Sequence, residues 1–247
     1  MIILIDVGNT NTAVAAAEGE SITKKYFLRT SRMEISPGAL KRLLGERLEK
    51  AEEAVVVSVV PDFLALMVKS LRRAAPGIKI IVVGKDIRVP MDVKYEDPSE
   101  VGQDRLVAAY AAWRMYSGPV LVVDFGTAVT FDLVGSAGAY EGGLIFPGMR
   151  LSLGALSGNA AMLPGIELDG SVSLPGRNTR GSMNSGAVLG YAAMCDGVIS
   201  RFKAKYGNGL KVVATGGDAR LIAAHTENIS LIDDDLIFKG LAELAFI

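Results

Sequence analysis

An acid, a glycine and a hydroxyl in quick succession at the end of an apolar strand are suited to phosphate chemistry. Residues 121–132 (LVVDFGTAVTFD) have that order, with Asp124, Gly126 and Thr127 as the polar members of the turn. Glycine admits a tight reversal and a close backbone approach. Amide N–H groups and hydroxyls at such a turn can bind phosphate oxygens. The acid can hold a cation that neutralises the same oxygens. Residues 2–14 repeat the plan: an apolar run, then Asp6, Val7, Gly8, Asn9, Thr10, Asn11 and Thr12, then Ala13 at the start of a second apolar run. One Asp-x-Gly-x-Thr alone is an ordinary strand turn. Two of them, 118 residues apart and with 123 residues after Asp124, cut the chain into near-equal halves. We read them as an internal duplication in which each half presents one loop to a shared cleft.

The elements that must position these loops can be read in chain order. Strands are expected over 2–5, 13–17 and 24–28, separated by the first loop and by a turn at Gly19 and Glu20. Ser36 and Pro37 open a helix to about Lys50, with Leu40, Leu43, Leu44 and Leu48 on one face. A buried strand over 54–59, a helix over 61–74 stopped by Pro76 and Gly77, and a strand over 78–83 follow. Residues 84–98 are irregular and hold Tyr95; Ser99 should cap a helix from about Glu100 to Tyr116. The second half repeats the start with strands over 120–124, 128–134 and 140–145. Helices over 149–161, 179–206, 217–224 and 235–246 then enclose strands over 210–215 and 229–232, with an irregular stretch at 163–178. Three strands in meander followed by alternating helices and strands, twice over, predict a pair of α/β domains, residues 1–117 and 118–247, each with a mixed sheet.

The bulk numbers agree with a packed protein. Of 247 residues half are hydrophobic and 21% charged, and the net charge is −1. That charge favours neither a nucleic acid nor an anionic membrane surface as partner. The apolar runs are of strand length, and a cytoplasmic location is the expectation. The single cysteine, Cys195, lies in an apolar helical stretch and reads as a core residue. One cysteine and one histidine, His225, leave little room for a zinc site or a serine triad. The Gly-x-x-x-x-Gly-Lys phosphate loop is absent, as is the Gly-x-Gly-x-x-Gly of dinucleotide folds. Asp124, Phe125 and Gly126 spell the metal motif of protein kinases, but the other signatures of that family are missing.

The paired loops resemble the phosphate loops of the acetate and sugar kinase/Hsp70/actin superfold. Within it the chain resembles the type III pantothenate kinases. The likeness spans essentially the whole chain and rests on residues 6–12, Tyr95 before Pro98, residues 100–105, 124–128, 142–148, 178–179, 215–217 and 239–241. It implies two duplicated ribonuclease H-like (actin-like ATPase) domains, each a mixed β-sheet with helices on both faces, and an ATP cleft between them. It further implies ATP-dependent phosphorylation of pantothenate, the first step of coenzyme A biosynthesis. Mg²⁺ and a monovalent cation, K⁺ or NH₄⁺, would be required, in a homodimer.

By this resemblance Asp104 is the catalytic base. Tyr95, Gly102, Gln103, Asp104, Arg105 and Thr179 meet the substrate, with Thr179 completing the site of the partner subunit. Asp6, Val7, Gly8, Asn9, Thr10, Asn11, Thr12, Ala13 and Thr127 bind ATP. Asp124 is the K⁺ ligand, although its chemistry alone suits Mg²⁺ equally, and Asp6 helps to position Mg²⁺. Residues 142–148 and 215–217 would bring backbone close to the adenosine. The family usually has alanine where this chain has Gln103. The residues themselves agree with these roles without requiring them. Asp104 at a helix start is favoured by the helix dipole, and an orienting carboxylate suffices for a loose phosphoryl transfer. Arg105 can grip a carboxylate in bidentate fashion, or sit in an ordinary surface ion pair. Two rivals share the fold: a kinase for another small acceptor, which would not need Tyr95 with residues 102–105, and a non-enzymatic regulator, in which Asp104 and Arg105 would be free to drift.

Overall fold

Runs of branched aliphatic residues and alanine make the central strands. The computed structural model describes residues 1–19 and 21–247; of the turn expected at Gly19 and Glu20, Glu20 lies outside the described residues. The chain divides into two compact units, Met1–Arg114 with Asp235–Ile247, and Met115–Asp234.

In the first unit the strands are β1 (Ile2–Val7), β2 (Asn11–Glu18), β3 (Ser21–Arg29), β4 (Glu53–Ser58) and β5 (Lys79–Val82). They form one sheet in the order β3-β2-β1-β4-β5. β1 is antiparallel to β2 and parallel to β4, and β4 is parallel to β5. Ile3, Ile5, Val7, Ala54 and Val56 share a core with Leu40 and Leu44 of α1 (Pro37–Leu44), Leu48 of α2 (Glu46–Glu49), and Met67 and Leu71 of α3 (Pro61–Ala74). The alternate residues Leu4, Val55 and Val57 are also fully buried, because strands in such a sheet are covered on both faces. The last helix of the chain, α8 (Leu236–Leu244), packs on β1 and β4. It also lies tightly on α4 (Gln103–Tyr116): a methyl group added at Gly240 would stand 2.7 Å from Val107 O.

Two local expectations are corrected. The single helix expected to reach Lys50 breaks at Gly45, whose φ of 53° ends α1 and starts α2. Ser99 is not the cap of α4. Asp97 caps a 3₁₀ turn over Pro98–Glu100 and accepts from the Ser99 amide at 2.9 Å, and α4 begins only at Gln103. The Ser99 hydroxyl and amide hold the Asp97 carboxyl below its usual range.

The second unit repeats the plan with β6 (Val120–Phe125), β7 (Ala128–Val134), β8 (Tyr140–Pro147), β9 (Lys211–Thr215) and β10 (Leu231–Ile232). Read from the other edge, its order β8-β7-β6-β9-β10 matches the first sheet strand for strand. The pairing senses match as well: β6 is antiparallel to β7 and parallel to β9, and β10 is parallel to β9. Leu121, Val123, Phe125, Phe131 and Val212 pack with Met149 and Leu153 of α5 (Met149–Asn159), Val188, Cys195 and Ile199 of α6 (Thr179–Tyr206), and Ile222 of α7 (Ala219–Ala223). Cys195 is fully buried in this core, and burial pushes its thiol up to about 12. The duplication inferred from the two Asp-x-Gly turns is thus a duplication of whole sheets.

Candidate functional site

Asp6 and Asp124 occupy the same place. Each is the fifth residue of the first strand of its sheet, IILIDV in β1 and VLVVDF in β6. Strand alternation puts each acid on the face away from the packed helix group just described. Each is half-buried. The hairpins that follow differ by one residue: 8–10 link β1 to β2, whereas 126 and 127 alone link β6 to β7. The first is closed by Gly8 N donating to Asn11 O at 3.0 Å, the second by Gly126 N donating to Ala128 O at 3.0 Å.

What faces each acid is different in the two halves. Asp6 is paired across the sheet with Ala13 and Val57. Asp124 is paired with Thr130 and Thr215. Thr130 Oγ1 donates to Asp132 Oδ2 at 2.7 Å, and the Tyr140 hydroxyl donates to Asp132 Oδ1 at 2.6 Å. Asp132 is 2% exposed and Tyr140 is fully buried. With its one proton committed to Asp132, Thr130 offers only oxygen lone pairs on the face it shares with Asp124. One carboxylate beside hydroxyl oxygens suits a weakly charged, oxygen-seeking cation. Apolar Ala13 and Val57 add no oxygen beside Asp6, and a single carboxylate there suits Mg²⁺ completing its shell with phosphate oxygens and water. Among the described residues no group of three or more His, Cys, Asp and Glu is gathered to hold a metal, so in either place much of the shell would come from outside the protein's acids.

Two glycine-containing segments converge on the second loop. Gly148 donates to Thr127 O at 2.9 Å, and a methyl group there would lie 2.3 Å from that oxygen. Gly216, at φ 93°, brings its backbone so close that a methyl group would lie 2.4 Å from Asp124 Oδ1. Asp218 N donates to Phe125 O at 3.2 Å, and its carboxylate, only 11% exposed, takes a bidentate grip from Arg150 with Nη2 to Oδ1 at 2.8 Å. The backbone approach read from residues 142–148 and 215–217 is therefore, at Gly148 and Gly216, an approach to the chain's own second loop. Gly142 and Gly143 lie within β8, where Gly143 pairs with Asp132.

Gly102, Gln103, Asp104 and Arg105 are continuous at the N-terminus of α4. Asp104 is the second helical residue, and its Oδ1 accepts from the Arg105 amide at 2.7 Å. That satisfies one of the amides a helix start leaves over and favours the ionised acid. A side chain at Gly102 would stand 2.6 Å from Asp104 Oδ1, so glycine there leaves room for the carboxylate. Gln103 folds its amide over Gly84, whose φ is 85° and whose added methyl would meet Gln103 Cδ at 2.8 Å. Tyr95 is half-buried in the loop before the 3₁₀ turn. Thr179 is the exposed first residue of α6, whose N-cap Asn178 accepts from Gly181 N at 2.8 Å. It lines an open depression of about 600 Å³ with Met162, Leu163, Pro164 and Arg180. Met162 is 91% exposed there. Thr30, Thr130, Asp132, Tyr140 and Arg150 escaped the sequence reading. Only Thr130 and Asp132 carried a signal, as alternate polar residues in an otherwise apolar strand.

Two sheets of this matched order, each with an acid and a hairpin at the end of its first strand, define the actin-like ATPase and sugar kinase class of fold. An inorganic polyphosphate/ATP-glucomannokinase from Arthrobacter superposes with a TM-score of 0.51 at 16% identity, covering 99% of this chain and 98% of that one. A Baf family transcriptional activator from Campylobacter jejuni does so with a TM-score of 0.59 at 20% identity, covering 99% and 97%. Both likenesses concern the fold. Sequence carries the assignment further: the profile of the type III pantothenate kinases matches residues 2–201. A type III pantothenate kinase of Syntrophotalea carbinolica is 38% identical over 247 residues, 98% of this chain and 96% of the relative. The chain belongs to the type III pantothenate kinase family.

Proposed function

We infer that this chain transfers the γ-phosphoryl group of ATP to the primary hydroxyl of pantothenate, the reaction that opens coenzyme A biosynthesis. The observation that carries the reading is the pair of Asp-x-Gly hairpins at matched places in two matched sheets, in a chain of this family. Asp104 is the general base, accepting the hydroxyl proton as the oxygen attacks. Its place in the first turn of α4 supports this role, since the dipole keeps the carboxylate ionised. Arg105 grips the substrate carboxylate, and Tyr95, Gly102 and Gln103 border the same substrate. The first loop, Asp6 to Ala13, and Thr127 hold the phosphates of ATP. A divalent cation beside Asp6 would supply charge neutralisation for those phosphates. A monovalent cation belongs at Asp124, and the hydroxyls of Thr130 and Thr215 facing that acid favour the choice. The transfer is direct and in line, from ATP to the hydroxyl oriented by Asp104.

We also place the enzyme in a homodimer, with Thr179 reaching the pantothenate of the partner subunit. The open depression beside Thr179 and the exposed Leu151, Leu156 and Met162 favour a second chain there. The location is cytoplasmic; no described helix is long and apolar enough to cross a membrane. The test is ADP release with pantothenate as acceptor, in K⁺ and in Na⁺, for the native chain and Asp104→Asn. Turnover in K⁺ should fall by about 10²–10⁴ in the variant. Turnover that survives the substitution removes Asp104 as the base. Binding of ATP without turnover in any salt moves the assignment to another acceptor or to a regulator.

A further inference from the structure

Thr30, which belongs to none of the motifs, makes three bonds to the first loop and its neighbour. Its Oγ1 donates to Gly8 O at 2.8 Å, its amide donates to Thr10 O at 3.0 Å, and its Oγ1 lies 3.0 Å from Thr12 Oγ1. A hydroxyl has one proton, and that of Thr30 is spent on Gly8 O. The bond to Thr12 must therefore run the other way, with Thr12 donating to Thr30. The direction of the whole relay follows: Thr12 Oγ1–H to Thr30 Oγ1–H to Gly8 O.

Two consequences bear on phosphate binding. Thr12 is fully buried and its proton points inward, so it is not a donor to a ligand. Of the loop's two threonines, the exposed Thr10 is the outward one. Moreover, the peptide between Gly8 and Asn9 is planar and trans, so its C=O and N–H point in opposite directions. Holding Gly8 O against Thr30 turns the Asn9 N–H away from β3, at the exposed tip of the hairpin. We propose that Thr30 is a positioning residue for ATP: through the relay it fixes the Gly8–Asn9 peptide so that the Asn9 amide is presented to a phosphate oxygen.

This inference rests on the reading of residues 6–13 as a phosphate loop, and the experiment separates the two. Thr30→Val keeps the shape and removes both hydrogen-bonding functions; Thr30→Ser keeps the hydroxyl. Affinity for a non-hydrolysable ATP analogue is measured by calorimetry, and KM for ATP and for pantothenate by ADP release. Thr30→Val should weaken analogue binding and raise the KM for ATP about tenfold, with the KM for pantothenate unchanged. Thr30→Ser should restore both to within about twofold. Thr30→Ala carries the same prediction should the valine variant fail to fold. Unchanged affinity in the valine or alanine variant overturns the proposal. So does an equal loss toward both substrates, or a serine variant as poor as valine. A native chain that binds no analogue overturns the phosphate-loop reading instead.

Discussion

Gly148→Ala is a clean steric perturbation of the second loop. The φ of Gly148 is −69° and its ψ 156°, a conformation any residue adopts. At the N-cap of α5 the exchange of glycine for alanine itself costs less than about 1 kcal/mol. What remains is the added methyl group, 2.3 Å from Thr127 O, 2.5 Å from Gly126 O and 2.7 Å from Thr127 C. A carbon needs about 3.5 Å from such atoms, so roughly 1 Å of displacement is forced. Every one of the three atoms is backbone, so no side chain can swing aside. Either the loop moves, or the start of α5 moves and the bond from Gly148 N to Thr127 O is lost. Overpacking of this kind costs about 1–3 kcal/mol of stability, and about 2–4 °C in Tm per kcal/mol for a chain of this size. A misplacement of about 1 Å at a reacting group lowers the rate about 100-fold. Coupled measurement of ADP release should therefore show kcat/KM for ATP down by about two orders of magnitude, with a modestly lowered Tm. Native turnover with an unchanged Tm would refute the argument, because the contacts leave no space for the methyl group.

Four further substitutions probe other parts of the molecule. Gly240→Ala pushes a methyl group to 2.7 Å from both Val107 Cγ1 and Val107 O; thermal melts should show a loss of about 1–3 kcal/mol, and a neutral result would mean that α8 packs less closely on α4. Gly84→Ala combines strain at φ 85° with a collision against Gln103. Urea titration should find the double variant with Gln103→Ala more stable than Gly84→Ala alone, and additive losses would deny the contact. Thr130→Ala gives Asp124 the same neighbour that Ala13 gives Asp6. Protection by KCl over NaCl in thermal melts, and the activating concentration of K⁺, should both weaken; an unchanged K⁺ response removes Thr130 from the cation site. The buried Cys195 thiol titrates at about 12 in the folded chain, against an ordinary value of about 8.5 once unfolded. Unfolding then releases its proton across that interval, so stability is full below it and declines as pH rises through it. Tyr116, also pushed up to about 12 by burial and by Asp233, adds a slope of the same sign. Urea midpoints at about pH 8.5 and about pH 10.5 should fall less steeply in Cys195→Ala; parallel slopes would show that the thiol is not responsible.

Which features the sequence revealed follows from how local their causes are. The helix α3 occupies the residues expected of it, Pro61–Ala74, because Pro61 starts it and Pro76 with Gly77 lies just beyond its end. The central strands were legible because burial on both faces makes them uniformly apolar. The break at Gly45 was hidden because Leu40, Leu43, Leu44 and Leu48 keep helical spacing across it, and spacing is blind to one residue's φ. Ser99 misled because Asp97, two residues earlier, captures its amide and hydroxyl in a separate turn. The loops themselves are contiguous motifs. Their supports are not: Thr30 lies just past the end of β3, 22 residues from Gly8, and Gly148 and Gly216 reach the second loop from two later segments. Nothing in a linear reading marks Thr30, whose effect depends on strand pairing.

Duplication makes the backbone of the two halves alike, so any division of labour between them must be written in a few side chains. The positions facing the two acids carry it. Ala13 and Val57 beside Asp6 add no oxygen; Thr130 and Thr215 beside Asp124 add two, one of them oriented by Asp132 and Tyr140. The supports of the hairpins are unequal as well. The longer first hairpin is tied by a hydroxyl relay through Thr30, and the shorter second one is wedged by backbone at Gly148. A relay fixes the direction of a peptide and tolerates small shifts in position; a backbone wedge fixes position and tolerates almost none. Under the phosphate-loop reading proposed above, the first half would orient amides toward phosphate oxygens, and the second would hold one hydroxyl, Thr127, and one acid, Asp124, at a set place.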